Sequence, residues 1–298
     1  MNEQCVECVD FPTAREFIDY LRPINHVWGD EIACPWVYRG HWEAAWPLQP
    51  RAWRKDGQAI LKPLISRFTD QESDRHSDKQ ELMATAQQAA ECEAVLQFAQ
   101  LADELGQYVP DYLDWAQSGE QFLNDPSDRA EPGEFFAYAQ HHGIPTQLLD
   151  WTRNTLVGAF FATQPTESTQ PEQIAVWAAN LRLLEDQWPE FKTVTCRRSR
   201  HTFLHAQDGL FIWCSGAPSF FLKQRRWPTF PEIIEAKYDG SGPKPLRKLT
   251  LSVDCVDDLC RLLLRERVSR AHLMPTYDNV TAALIDRWTL GSKSGGQA

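Results

Sequence analysis

Apolar residues recur with helical spacing in several stretches of the chain and with strand spacing in others. Thr13 and Glu16 have the form of a capping box, which opens a helix whose face is Phe17, Tyr20 and Leu21. The 3.6-residue period predicts helices over 58–69 and about 78–105. In the second, Leu82, Ala89, Ala90, Val95, Leu96 and Phe98 lie on or near one face while Glu and Gln fill the other. Trp36, Val37, Tyr38 and Arg39 read as a short strand ended by Gly40. The stretch 120–132 is turn-rich and reads as a loop between helices. Residues 135–142 form another helix, closed by Gly143 as a left-handed C-cap with Pro145 two residues on. A short buried helix is expected over 154–163. Strands are expected over 174–179 and 210–214, and 248–253 alternates as a half-buried strand does. Helices near 256–267 and 277–288 follow, then a frayed tail over 291–298.

This order predicts an α+β fold with a small mixed sheet of short strands. A largely helical N-terminal half, 1–135, holds one strand near 36–40, and a mixed α/β half covers 136–290. Regular βαβ alternation and internal repeats are both lacking, and the chain reads as a single domain.

Composition narrows the class. The chain has 298 residues, 43% hydrophobic and 24% charged, with 12 tryptophans, which excludes a disordered chain, a collagen-like repeat and a coiled coil. No apolar run reaches the roughly 18 residues of a membrane span. The first residues carry neither a basic region nor an apolar core of a secretory signal, so a cytoplasmic location is expected. The net charge of −11 is uneven: residues 1–150 carry 26 acids and 11 bases (−15), and residues 151–298 carry 15 acids and 19 bases (+4). Solvated helix faces account for the acidic half, and a mildly basic half can face a polyanion. Eight cysteines without a secretory signal are expected as free thiols. Cys5 and Cys8 form a C-x-x-C, but neither a second C-x-x-C nor a His pair follows at zinc-site spacing. Cys214 and Cys255 sit in apolar, strand-like runs and read as core.

Three stretches concentrate chemistry. In 37–54, Arg39 stands on a strand edge and is followed at once by Gly40. That order leaves backbone space for a ligand to approach a guanidinium, the group suited to bidentate phosphate or carboxylate binding. Alternatively Arg39 pairs with a buried acid such as Asp150. The four tryptophans between 36 and 53 read as core packing or as a base-stacking platform. In 139–163, His141, His142, Thr146, Asp150, Trp151 and Thr152 fall between two helices on a Gly/Pro-shaped turn. They can present polar groups beside the aromatic strand, or Asp150 or Thr152 can cap the next helix. In 205–216, Gln207, Asp208 and Gly209 lead into a strand, and Asp208-Gly209 can be a plain turn. The fingerprints of serine hydrolases, P-loop proteins, Rossmann dehydrogenases and zincins are missing.

In this order the three stretches resemble the FRG domain family, named for its Phe/Tyr-Arg-Gly motif. The matching residues are Tyr38-Arg39-Gly40, then Trp46-Pro47-Leu48-Gln49-Pro50 and Arg54. The central block runs Gln140-His141-His142-Gly143-Ile144-Pro145-Thr146-Gln147-Leu148-Leu149-Asp150-Trp151-Thr152, followed by Phe160-Phe161-Ala162. Arg200 and Ala206-Gln207-Asp208-Gly209-Leu210-Phe211 resemble a later element, and Met274-Pro275-Thr276 the closing one. The resemblance spans roughly 13–288. Gln147 replaces the usual Arg, which removes a cation from the site, and Thr276 replaces an acid after Pro275.

The Tyr-Arg-Gly strand also looks like the first motif of Arg-type ADP-ribosyltransferases. That likeness implies a core of their kind and NAD as substrate, bound by Tyr38, Arg39, Gly40, Thr146, Trp151 and Thr152, with no metal. Arg39 would clamp the pyrophosphate, and Tyr38 or a Trp would stack on nicotinamide. Asp150 would stabilise an oxocarbenium-like transition state or orient the acceptor. His142 would assist deprotonation of the acceptor. Gln207 would occupy the region of the third motif, with Glu232 and Glu235 as fallback acids. The implied activity is transfer of ADP-ribose to a protein or RNA, as a toxin or phage-defence effector restrained by an antitoxin or other inhibitor protein. A basic run of Lys192, Arg197, Arg198, Arg200, Lys223, Arg225 and Arg226 would suit a phosphate backbone, or is a set of solvated loops. The competing readings are a non-catalytic nucleotide- or nucleic-acid-binding module, and a nucleotide or phosphoester hydrolase using His142 and Asp150 as acid and base.

Overall fold

A computed structural model describes residues 4–72, 78–107, 109, 132–166, 170–196 and 202–294. Its strands are β1 (Val6–Phe11), β2 (Trp36–His41), β3 (Leu149–Thr152), β4 (Gln173–Asn180), β5 (Phe191–Val194), β6 (Gly209–Cys214) and β7 (Leu246–Ser252). They make one mixed sheet in the order β1-β7-β4-β2-β3-β6-β5. β1 runs parallel to β7, and the other neighbours are antiparallel. With twelve α-helices among the described residues, this is the expected mixed α+β architecture.

Helices cover both faces, which is why β6 is buried along its whole length and β4 over six consecutive residues. One face packs against helices Ala14–Leu21, Thr155–Ala162 and Val256–Arg265 through Phe17, Val157, Phe160 and Leu259. The other packs against Lys55–Glu72, Lys79–Glu104, Ala217–Gln224 and Phe230–Glu235 through Trp53, Leu61, Trp177, Phe221 and Phe230. Local signals set the ends of these elements. Thr13 Oγ1 accepts from the Glu16 amide and donates to the Glu16 carboxylate, completing the capping interaction. Gly143 adopts φ +98° just past His142, the C-cap of helix Glu134–His141, a conformation that favours glycine.

Several expectations need correction. The N-terminal half holds two strands, not one: β1 lies at the sheet edge, paired with β7 from the far end of the chain. The segment at 149–152 is a strand rather than a turn, and Asn154, not Asp150 or Thr152, caps the following helix by accepting from the Leu156 and Val157 amides. Gly40 lies inside β2 instead of ending it. The last helix, Tyr277–Ser294, runs through the first half of the expected frayed tail, whose final residues 295–298 lie outside the described residues. The loop expected over 120–132 also falls outside them, except for Pro132.

Cys214 is fully buried core, whereas Cys255 is partly exposed in a 3-10 turn, Val253–Cys255. Cys5 and Cys8 lie three residues apart at and within a strand, a spacing that turns side chains to opposite faces. Cys5 is buried and donates to the Pro231 carbonyl, while Cys8 is exposed. Among the described residues no helix is long and apolar enough to cross a membrane.

Candidate functional site

The site begins with a close crossing of strand and helix. A Cβ built on Gly40 would lie 2.2 Å from Ala162 N and 2.3 Å from the Gly158 carbonyl oxygen. Gly40 therefore admits the helix Thr155–Ala162 against β2; the space it leaves is filled by backbone, not open to a ligand. On the opposite side of that crossing, a Cβ on Gly158 would lie 2.9 Å from Tyr38 Cβ. The two glycines seat the helix against β2, the strand that carries Arg39.

β2 and β3 are in register at a single pair, Tyr38 and Thr152. Beyond it, Arg39 bridges the two strands. Its Nη1 donates to the Asp150 carbonyl at 2.8 Å and to Asp150 Oδ2 at 2.7 Å. Its Nε donates to His41 Nε2 at 3.1 Å. His41 is 3% exposed. Burial, followed by the charges of Arg39, Arg54 and Lys248, holds its imidazole well below the usual pKa, so it is neutral. Because Nε2 accepts from Arg39, the proton belongs on Nδ1. Arg54 stands nearby with its Nε on the Gln49 carbonyl; burial and the neighbouring Arg39 pull it down to about 10.

Asp150 is gripped from both ends. Gln140 Nε2 donates to Oδ1 at 3.3 Å, and the fully buried Thr146 hydroxyl donates to Gln140 Oε1. Desolvation pushes the Asp150 carboxyl up, but the charge and hydrogen bond of Arg39 outweigh it and leave the pKa below the ordinary value. The carboxylate is ionised near neutrality, and its side chain is 61% exposed.

Asp150 opens into a cavity of about 440 Å³, within the range of small-molecule sites. Trp42, Trp46 and Phe161 form apolar walls, and Gln140, His141, Gln164 and Gln207 add polar groups. Among the described lining residues Asp150 is the one carboxylate and Arg39 the one guanidinium.

The residues singled out in the sequence are dispersed around this cavity in different roles. Arg39, Gly40, Asp150, Trp151, Thr152 and Gln207 all reach it. Tyr38 borders it but is 1% exposed, with its ring edge-on to Trp28 (centroids 5.0 Å, 87°), so it offers no face for stacking. Thr146 lies behind the wall, and Thr152 donates to the Gln207 carbonyl at 2.6 Å. His142 is exposed away from the cavity, stacked on Phe98 (6.0 Å, 22°); its neighbour His141 is the imidazole on the wall.

Gln147 accepts from Trp213 Nε1 at 3.0 Å and is not among the residues that line the cavity. Glu232 is paired with Arg226 and accepts from Thr229, while Glu235 accepts from the Gln4 and Cys5 amides. Neither acid faces the cavity. Arg197, Arg198 and Arg200 of the basic run lie outside the described residues. Of the four tryptophans, Trp36 and Trp53 are core, and Trp42 and Trp46 face the cavity.

Sequence reasoning missed His41, although its signal was present: two residues beyond Arg39 on a strand, it shares that residue's face. It also missed Gln140, whose role depends on Thr146 closing back onto the end of the preceding helix. Among the described residues no cluster of three His, Cys, Asp or Glu side chains is placed to hold a metal.

Residues 34–171 match the model of the FRG domain family, a span that holds β2, β3 and the Gln140–Thr152 block but ends before Gln207. Neither the curated proteins nor the solved structures contain a match to the chain.

Proposed function

We propose that the cavity takes the nicotinamide end of NAD as substrate and that the protein transfers ADP-ribose to a macromolecular acceptor. The observation that carries this reading is a carboxylate, Asp150, held ionised at the wall of a cavity flanked by two indoles and a phenyl ring. Oxidised NAD presents a cationic aromatic ring, which suits aromatic walls and a neighbouring carboxylate.

Arg39 spends its Nη1 on Asp150 and its Nε on His41. In this reading it holds the carboxylate in place, and the pyrophosphate is not its ligand. When the glycosidic bond breaks, neutral nicotinamide leaves with the bonding pair, and positive charge develops on the ribose C1 and ring oxygen. A fixed carboxylate stabilises that charge, as in glycoside hydrolysis. The acceptor's nucleophile then bonds to C1 and gives up its proton, for which His141 is the imidazole on the cavity wall.

The acceptor is a protein or an RNA, and the biological setting is that of a toxin or defence effector with an inhibitor protein as partner. Labelled NAD, incubated with a cell extract and either the wild type or Asp150→Asn, tests this. Label entering the protein or nucleic-acid fraction with the wild type alone supports transfer and names the acceptor class. NAD binding with neither transfer nor nicotinamide release overturns it and leaves a non-catalytic nucleotide-binding module.

A further inference from the structure

Three glutamine amides line the cavity, and their hydrogen bonds differ in a way that bears on substrate choice. Gln140 is used at both ends, accepting from Thr146 and donating to Asp150. Gln164 is also used at both ends: its Oε1 accepts from Arg270 Nη2 at 2.6 Å, and its Nε2 donates to the Phe160 carbonyl and Thr163 Oγ1.

Gln207 is different. Its Nε2 donates to the Leu273 carbonyl at 3.3 Å. A backbone carbonyl only accepts, so this contact fixes which end of the amide is nitrogen. Oε1 is then the polar atom that remains, with no partner among the described residues.

The backbone beneath it is pinned. The Gln207 amide donates to the Phe203 carbonyl at 2.9 Å, the Thr152 hydroxyl donates to the Gln207 carbonyl at 2.6 Å, and Asp208 turns the chain at φ +47°. Gln207 therefore offers a positioned acceptor on the same cavity as Asp150, whose carboxylate accepts only. Arg39, the one lining guanidinium, already donates to Asp150 and His41. The polar lining favours a ligand that brings N–H donors and disfavours one that brings a second carboxylate.

We infer that Gln207 is a specificity-determining residue that accepts a hydrogen bond from a ring-borne carboxamide, so that the cavity takes the amide form of a pyridinium nucleotide and rejects the corresponding acid. This rests on the nucleotide reading of the cavity given above. A carboxamide donates its NH₂ to Oε1. A nicotinate carboxylate in the same place sets oxygen against oxygen and adds a like charge beside Asp150. An unmade hydrogen bond of this kind corresponds to roughly a tenfold or greater loss of affinity.

The test is calorimetric titration of the purified full chain with NAD and with its deamidated acid analogue, for the wild type and Gln207→Met. The wild type is expected to bind NAD at least about tenfold more tightly than the acid, and Gln207→Met to bind the two within about threefold. Equal binding by the wild type overturns the inference without needing the variant to fold. A preference that survives in a folded Gln207→Met assigns the selection elsewhere and also overturns it. Failure of both dinucleotides to bind the wild type removes the nucleotide reading itself, and the inference falls with it. N-methylnicotinamide and N-methylnicotinate, which keep the ring cation but lack the rest of the dinucleotide, should repeat the wild-type preference.

Discussion

Replacing Gly40 with alanine tests the architecture that positions Arg39. The new methyl carbon would sit 2.2 Å from Ala162 N, 2.3 Å from the Gly158 oxygen and 2.7 Å from Phe161 C, all backbone atoms of one helix. Ordinary contact begins near 3.4 Å. The helix must therefore retreat by about 1 Å, opening the packing of Val157 and Phe160 against the sheet. Overpacking that flexible side chains can relieve costs about 1–3 kcal/mol; with backbone on both sides, about 3–5 kcal/mol is expected here. For a chain of this size that corresponds to a fall in Tm of at least about 6 °C. Denaturant titration should show the midpoint moving with the m-value unchanged. Had Gly40 served a ligand instead, Gly40→Ala would fold as well as the wild type and lose only affinity. A loss of stability below about 1 kcal/mol refutes the reasoning.

Glu91 is buried, and desolvation raises its carboxyl to about 8, with a hydrogen bond from Gln87 opposing the shift. Its proton is retained on folding, so its contribution to stability is full below about 4.5 and is lost as pH rises towards 8. Glu91→Gln should therefore flatten stability between pH 5 and 8 and gain about 1–3 kcal/mol at pH 7; an unchanged pH slope refutes this. His41→Phe removes the acceptor of Arg39 Nε, and the Asp150 carboxyl should titrate higher by carbon-13 NMR, while an unmoved titration shows that His41 does not orient Arg39. Asp150 has a depressed pKa when folded, so its contribution is present above its unfolded value and lost as pH falls. Arg39→Gln should abolish that contribution and move the acid-unfolding midpoint to higher pH.

Much of this fold follows from local pattern. β4, β6 and β7 are apolar or alternating runs that read directly as strands, and the helix Ala14–Leu21 is announced by its capping box. β1 was not legible because VECVDF is short and half-polar, and its order depends on β7, some 240 residues away. The strand at Asp150 was obscured because Asp and Thr ahead of a helix read as caps; pairing with β6 overrides that preference. The placement of His141 rather than His142 at the cavity turns on the phase of the last helical turn. Gly40 carries no local sign that a helix backbone will press on it. The pairing of Arg39 with Asp150 was legible as pairing with a buried acid; the pair is present, but Asp150 is exposed at the cavity instead of buried.

The most direct measurement of the central claim is nicotinamide release from NAD by the purified wild type and by Asp150→Asn, at matched NAD occupancy. The exposed position of Asp150 makes the asparagine variant compatible with the fold. Release by the wild type and a rate at least about a hundredfold lower in the variant are predicted, since the carboxylate faces the developing charge. Equal rates in the two proteins, or no release by an NAD-saturated wild type, contradict the account.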